Sequence, residues 1–345
     1  MAFAPFPVDA PSGGPAIQAA VAGEALIDLI AQPDGRYLPC FGGAPFNLSR
    51  ALSRQGVGTH YLNPLSTDRF GRQLAGRLAA DGVRLSRPEP VQAVTSLAVV
   101  EVDAQGHPAY AFYRDGVADR EVEAQTLIED CRRLPELRLV CTGALALDAR
   151  DADRYLPWLA AQRAERRCVV VDANLRPSVM PHLDAYRASV HRALALADVV
   201  KVSDEDLLHL GMPGDDPLIR CGHLLDAHPQ ISLIALTLGE EGAWLLHRNG
   251  IHCFHKESRR LKVVDTVGAG DSFLAGRLAH LLCQAQMARA ANLVEMLENL
   301  LYHSCDQALR HAVGSASLCV QAGGAGAPTW QEVREWVGRG ERFVA

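Results

Sequence analysis

Between about residue 124 and residue 264 the chain alternates short β-rich segments with amphipathic ones, and no other feature restricts its fold so far. The pattern predicts strands over 138–142, 168–174, 199–202, 233–238, 243–248, 251–256 and 261–264. Between them it predicts helices over 151–165, 183–197, 204–211 and 218–227. Strands rich in Val, Ile and Leu that return through helices build the α/β class, a mostly parallel central sheet with helices on both faces. Ligands in such sheets sit beyond the carboxyl ends of the strands. The polar clusters fall there: Asp172 with Asn174, Lys201 with Ser203, Thr237 with Gly239, and the stretch from Asp265 to Asp271.

The N-terminal third has another texture. Residues 19–30 read as one buried strand carrying Glu24 and Asp28. Two buried acids are costly, so at least one belongs at the strand's end with a partner. Gly42-Gly43 leads into a helix over 47–55, and a second helix spans 68–81. Apolar runs over 96–103 and 109–114 flank Gln105-Gly106, a hairpin signal. Residues 1–20, rich in Pro, Gly and Ala, read as a flexible leader; the first positive side chain is Arg36, so a signal peptide's basic start is missing. With no internal repeat and no linker, residues 21–345 read as a single domain.

Composition narrows the partners. The net charge is −6, lysine occurs only at 201, 256 and 262, and no basic run exists, which argues against nucleic acid. No apolar run approaches the ~20 residues of a spanning helix, so no membrane partner is expected. Nine cysteines scattered singly read as reduced, mostly buried thiols of a cytoplasmic protein. Thirteen histidines form no H-E-x-x-H, leaving zinc without support. There is no G-x-x-x-x-G-K-[ST], and no G-x-G-x-x-G follows the first strand, so ATP, if bound, needs another cradle.

The stretch Asp265-Thr266-Val267-Gly268-Ala269-Gly270-Asp271 supplies one. Glycines at 268 and 270 let backbone N–H groups converge, and the helix that follows adds its positive dipole end, which makes a place for an anion. A carboxylate in such a place is repelled unless it acts there. As a general base, Asp271 would take the proton of a hydroxyl attacking a phosphoryl group. Asp also caps helices well, and in isolation both readings fit.

This turn resembles the D-T-x-G-A-G-D signature of the ribokinase (PfkB) family of carbohydrate kinases. Phe41-Gly42-Gly43-Ala44-Pro45-Phe46-Asn47 resembles the family's sugar-binding glycine pair, and Asp172-Ala-Asn174-Leu-Arg176 and Thr237-Leu-Gly239-Glu-Glu-Gly242 stand in the family's order. The likeness covers about residues 21–330. It implies a ribokinase-like fold with a small β-sheet lid from segments near 32–42 and 94–114. It also implies ATP, Mg2+ and a small-molecule sugar as ligands, and leaves open a potassium ion and a homodimer through the lid.

Carried onto these residues, the resemblance makes Asp271 the base and the amides of Gly268, Ala269 and Gly270 the holders of charge on the transferred group. The sugar would meet Asp28, Gly42, Gly43, Asn47, Phe112, Arg114, Asn174 and Arg176. The nucleotide would meet Lys201, Ser203, Thr237, Gly239 and Gly242, together with Gly268 and Gly270. Where the family carries N-x-x-E for magnesium, this chain has Ser203 and Asp206, with Asp206 acting through water. His311–Ser315 falls where relatives wrap the adenine, and residues 284–306 read as an extra surface helix. Within the family the sequence is most similar to fructokinases, implying fructose to fructose 6-phosphate. The alternatives are 2-keto-3-deoxygluconate kinase, with Arg114 or Arg176 holding the acid, a ribokinase or nucleoside kinase, and a non-catalytic sensor on a kinase scaffold.

Overall fold

The computed structural model describes residues 15–102, 108–180 and 182–341. The chain begins with β1 (Ile17–Val21), β2 (Leu26–Ala31), β3 (Tyr37–Gly42), α1 (Ala44–Arg54), β4 (Gly58–Tyr61), α2 (Arg69–Ala80) and β5 (Arg84–Leu85). Two antiparallel strands follow, β6 (Ser96–Val102) and β7 (Pro108–Tyr113), whose expected turn at Gln105-Gly106 lies outside the described residues. The alternating region gives α3 (Ala124–Arg132), β8 (Leu139–Gly143), α4 (Ala152–Ala164), β9 (Cys168–Asp172), α5 (Leu183–Leu194), β10 (Val199–Ser203) and α6 (Asp204–His209). It closes with α7 (Pro217–Ala227), β11 (Leu233–Thr237), β12 (Ala243–His247) and β13 (His252–His255). The last helices are α8 (Ala269–Met287), α9 (Leu293–Glu298), α10 (Tyr302–Cys319) and α11 (Trp330–Glu341).

Nine strands form one sheet in the order β13-β12-β11-β10-β9-β8-β1-β4-β5, parallel except where β12 meets β11 and β13. Alternate side chains of each strand point to opposite faces, and here that periodicity feeds two cores. Cys168 and Val170 of β9 pack with α1, α8, α9 and α10, whereas Val169 and Val171 pack with α3, α4, α5 and α7. A second sheet, β3-β2-β6-β7, stands apart from the first. No described helix is long and apolar enough to cross a membrane. All nine cysteines are unpaired, seven of them buried.

Several sequence readings change. The single strand over 19–30 is two strands in two different sheets, parted at Gly23, whose φ of 141° takes the chain out of the first sheet. The small sheet therefore gains β2, which local pattern had merged with β1. Structure begins at Ile17, inside the segment read as a leader, while residues 1–14 lie outside the described residues. Residues 261–264 are not a strand. Val264 N and Asp265 N instead donate to Val320 O at 2.8 and 3.3 Å, tying this segment to the end of α10. Within 284–306, α9 is not merely superficial: Leu293 and Leu297 are buried against the helical core.

Candidate active site

Parallel register brings the polar strand ends together. Asp172 of β9 pairs with Gly143 of β8 and Lys201 of β10, and Ser203 of β10 pairs with Thr237 of β11. Above these ends, between the two sheets, lies a cleft of about 320 Å³. The start of α8 forms one wall. Gly268 takes a left-handed φ of 79°, and a Cβ there would lie 2.6 Å from that of Ala325. Asp265 braces the approach, accepting from Val267 N at 2.9 Å and from Gly324 N at 3.0 Å.

Asp271 sits in the first turn of α8, 8% exposed. Burial and the nearby Asp172 push its carboxyl up to about 7, against the pull of Lys201, an Asn47 side-chain hydrogen bond and Arg176. Lys201 Nζ donates to Asp172 Oδ1 at 2.8 Å, both groups being buried. Burial alone would lower the Lys201 pKa, but Asp172, Asp206 and Asp271 hold it above its ordinary value. A Cβ at Gly270 would lie 3.2 Å from Lys201 Nζ, so the ammonium rests directly beneath the glycine turn. The glycine turn, the N-terminal end of α8 and a fixed cation thus stand together, a setting suited to a transferring phosphoryl group.

The other wall comes from the small sheet and α1. Gly42 pairs with Leu26 across β3 and β2, and a Cβ there would fall on the Asp28 carboxylate, which reaches back over it. At Gly43 the φ of 102° and a would-be Cβ 2.5 Å from Glu24 O leave room for glycine alone. Burial raises Asp28 to about 6 against the opposing pull of Arg176. Tyr110 stacks on Phe112 with centroids 5.8 Å apart, and both line the cleft. Asn174, in a left-handed φ of 36°, lines it as well, as does Arg176, whose Nη1 donates to Leu175 O at 2.9 Å.

Other candidates lie elsewhere. Arg114 is buried behind the cleft, donating to Leu145 O at 3.1 Å and facing Asp119 and Asp151 at 3.5 and 3.8 Å. Asp119, Glu24 and Asp151 together hold that guanidinium inside, so it does not line the cleft with Phe112. Thr237, Gly239 and Gly242 stand at the far end of β11 and the turn into β12, beyond the cleft lining. Asp206 closes a capping box with Ser203; its Oδ2 accepts from Ser203 N at 2.8 Å and its Oδ1 from Leu175 N at 2.7 Å. His311 is buried within α10, paired with Gln55 at 2.9 Å and packed 4.2 Å from the Trp330 ring, away from the cleft.

The sequence pattern of the pfkB family carbohydrate kinase matches residues 17–332. The chain belongs to this family. Its relatives include a fructokinase of Rhizobium leguminosarum bv. trifolii, 33% identical over 269 residues that span 75% of this chain and 78% of the relative. Among solved structures, fructokinase with bound ATP from Xylella fastidiosa superposes with a TM-score of 0.80 at 26% identity, covering 94% of this chain and 99% of the other. A fructokinase double mutant from Vibrio cholerae O395, in fructose, ADP and potassium ion bound form, gives 0.74 at 25% identity, covering 93% and 99%.

In this pfkB kinase, sequence reasoning assigned no site role to Glu24, Asp172, Asp265 or Tyr110, although the first three had drawn notice as polar groups. Asp172 and Asp265 stand inside polar clusters at the strand ends, and their position marked them without giving them a partner. The pairing of Asp172 with Lys201 depends on strand register, which no local pattern reveals. Glu24 was legible as an acid too costly to leave in a strand.

Proposed function

We propose that this carbohydrate kinase transfers the γ-phosphate of ATP to fructose, giving fructose 6-phosphate, with Asp271 as general base. The observation that carries the reading is the buried Asp271 carboxyl. It is poised near neutrality and steadied by Asn47, directly beside the Gly268–Gly270 turn and Lys201. A base with a pKa near the working pH takes the attacking hydroxyl's proton with greatest advantage. The turn's amides and Lys201 take up the charge that grows on the transferred group, and Arg176 adds a second cation. Thr237, Gly239 and Gly242 carry the nucleotide along the ends of β11 and β12, and the small sheet shields the cleft from water.

The donor set fits magnesium only through water, because both Asp206 oxygens already accept backbone amides. Bound there, the ion neutralises phosphate charge. Both cations that line the cleft already face carboxylates, Arg176 toward Asp28 and Lys201 toward Asp172. That arrangement favours a neutral polyol over 2-keto-3-deoxygluconate, whose acid group would compete for Arg176. A coupled ADP-release assay over fructose, ribose, 2-keto-3-deoxygluconate and adenosine tests the reading. Fructose is expected to turn over fastest; release with none of the four would leave a binding protein instead.

A further inference from the structure

Glu24 lies in the turn from β1 to β2, at the foot of α1, and lines the cleft beside Asp28, Asn47 and Phe112. Its residue is 2% exposed. Oε1 accepts from Ala44 N at 3.3 Å, a long bond at the first amide of the helix. Oε2 is buried and has no hydrogen-bond partner among the described residues. Buried polar atoms are nearly always paired, so an orphan in a ligand cleft points to a partner that arrives with the ligand. Phosphoryl transfer at α8 makes no use of it.

We propose that Glu24 is a sugar-binding residue: its Oε1 anchors it on the start of α1 while its Oε2 engages a hydroxyl of the acceptor sugar. The proposal rests on the sugar kinase reading above and assigns it a residue for substrate selection. The charged and titratable groups facing Glu24 are Arg114 and Asp119, with the phenols of Tyr61 and Tyr186. Arg114 is already committed to Leu145 O, Asp119 and Asp151, so its charge is shared. Burial accordingly pushes the Glu24 carboxyl up to about 8. At neutral pH it is a carboxylic acid with one O–H to donate. A buried donor of this kind separates a hydroxyl from a bare C–H far more sharply than an apolar surface does.

The test uses the full chain, D-fructose and its monodeoxy analogues at saturating ATP. In the wild type, one analogue should raise KM by at least about tenfold. Glu24→Ala should raise the fructose KM by a similar factor and accept that same analogue within about twofold of fructose, with the KM for ATP unchanged. Glu24→Gln, whose amide N–H replaces the acid O–H, should keep the fructose KM at pH 7 within about threefold. The wild-type KM should rise above pH 8 as Glu24 loses its proton, and Glu24→Gln should lack that rise. Deoxy penalties identical in wild type and Glu24→Ala, or a fructose KM unchanged in both variants, would overturn the proposal. Where Glu24→Ala fails to fold, Glu24→Gln decides, because an alkaline rise that persists in it has the same consequence. If the wild type phosphorylates no sugar, the kinase reading falls by itself, and calorimetric titration with fructose carries the same comparison of variants.

Discussion

Two helices start at this cleft, and each has a buried carboxyl at its first amides. Glu24 meets α1 at Ala44, and Asp271 stands in the first turn of α8. Burial lifts both above their ordinary values, to about 8 and about 7. The surroundings differ. Lys201, Asn47 and Arg176 pull Asp271 back toward ionisation, while the cation nearest Glu24 is shared among other acids. One carboxyl can therefore give up its proton near pH 7 and serve as a base; the other keeps it. Burial sets the direction of both shifts, and the neighbours assign the roles.

The largest effect expected is from Asp271→Asn. Asn is nearly isosteric and also caps helices, so folding should survive while kcat drops roughly 10²–10⁴-fold. Turnover within about threefold of wild type, far below the worth of a general base, would make Asp271 a cap and erase the contrast.

Next is Lys201→Met, which leaves Asp172 buried and unpaired. Breaking such a pair costs about 3–5 kcal/mol, readable by urea denaturation, and adding Asp172→Asn should recover part of that loss. No recovery would mean that the two side chains are not coupled.

Arg277 on α8 tests burial without function. Its guanidinium is wholly buried, and none of its nitrogens has a hydrogen-bond partner among the described residues. Arg277→Met should stabilise the protein by about 1–4 kcal/mol without altering kcat. A destabilised variant would reveal an interaction that the buried nitrogens already satisfy.

Sugar choice is a smaller matter. Fructose should exceed ribose and adenosine by at least about tenfold in kcat/KM, a gap of ~1.4 kcal/mol. Preference for 2-keto-3-deoxygluconate would instead give Arg176 a carboxylate to hold.

A further effect is one of pH on stability. A carboxyl raised by folding from 4.5 to about 8 contributes its stability in full below pH 4.5 and loses it as the pH climbs to 8. Glu24→Gln cannot lose a proton, so its melting temperature should gain on wild type steadily between pH 5 and 8. A constant difference across that range would show that Glu24 is ionised throughout.

The sequence alone determined what depends on neighbours along the chain. The strand–helix rhythm after residue 124, the glycine turn with its Asp271 and the glycine pair before α1 are short-range signals. Each has a local cause in side-chain periodicity or backbone freedom. Tertiary structure decided what depends on register and on competition for space. It carried β1 and β2 into different sheets at Gly23, paired Asp172 with Lys201 across parallel strands, and drew Arg114 in among Asp119, Asp151 and Glu24. Glu24 shows the boundary best. That an acid in that stretch needed special handling was written in the chain, but which oxygen stays free depends on where α1 arrives, and sequence spacing does not encode that distance.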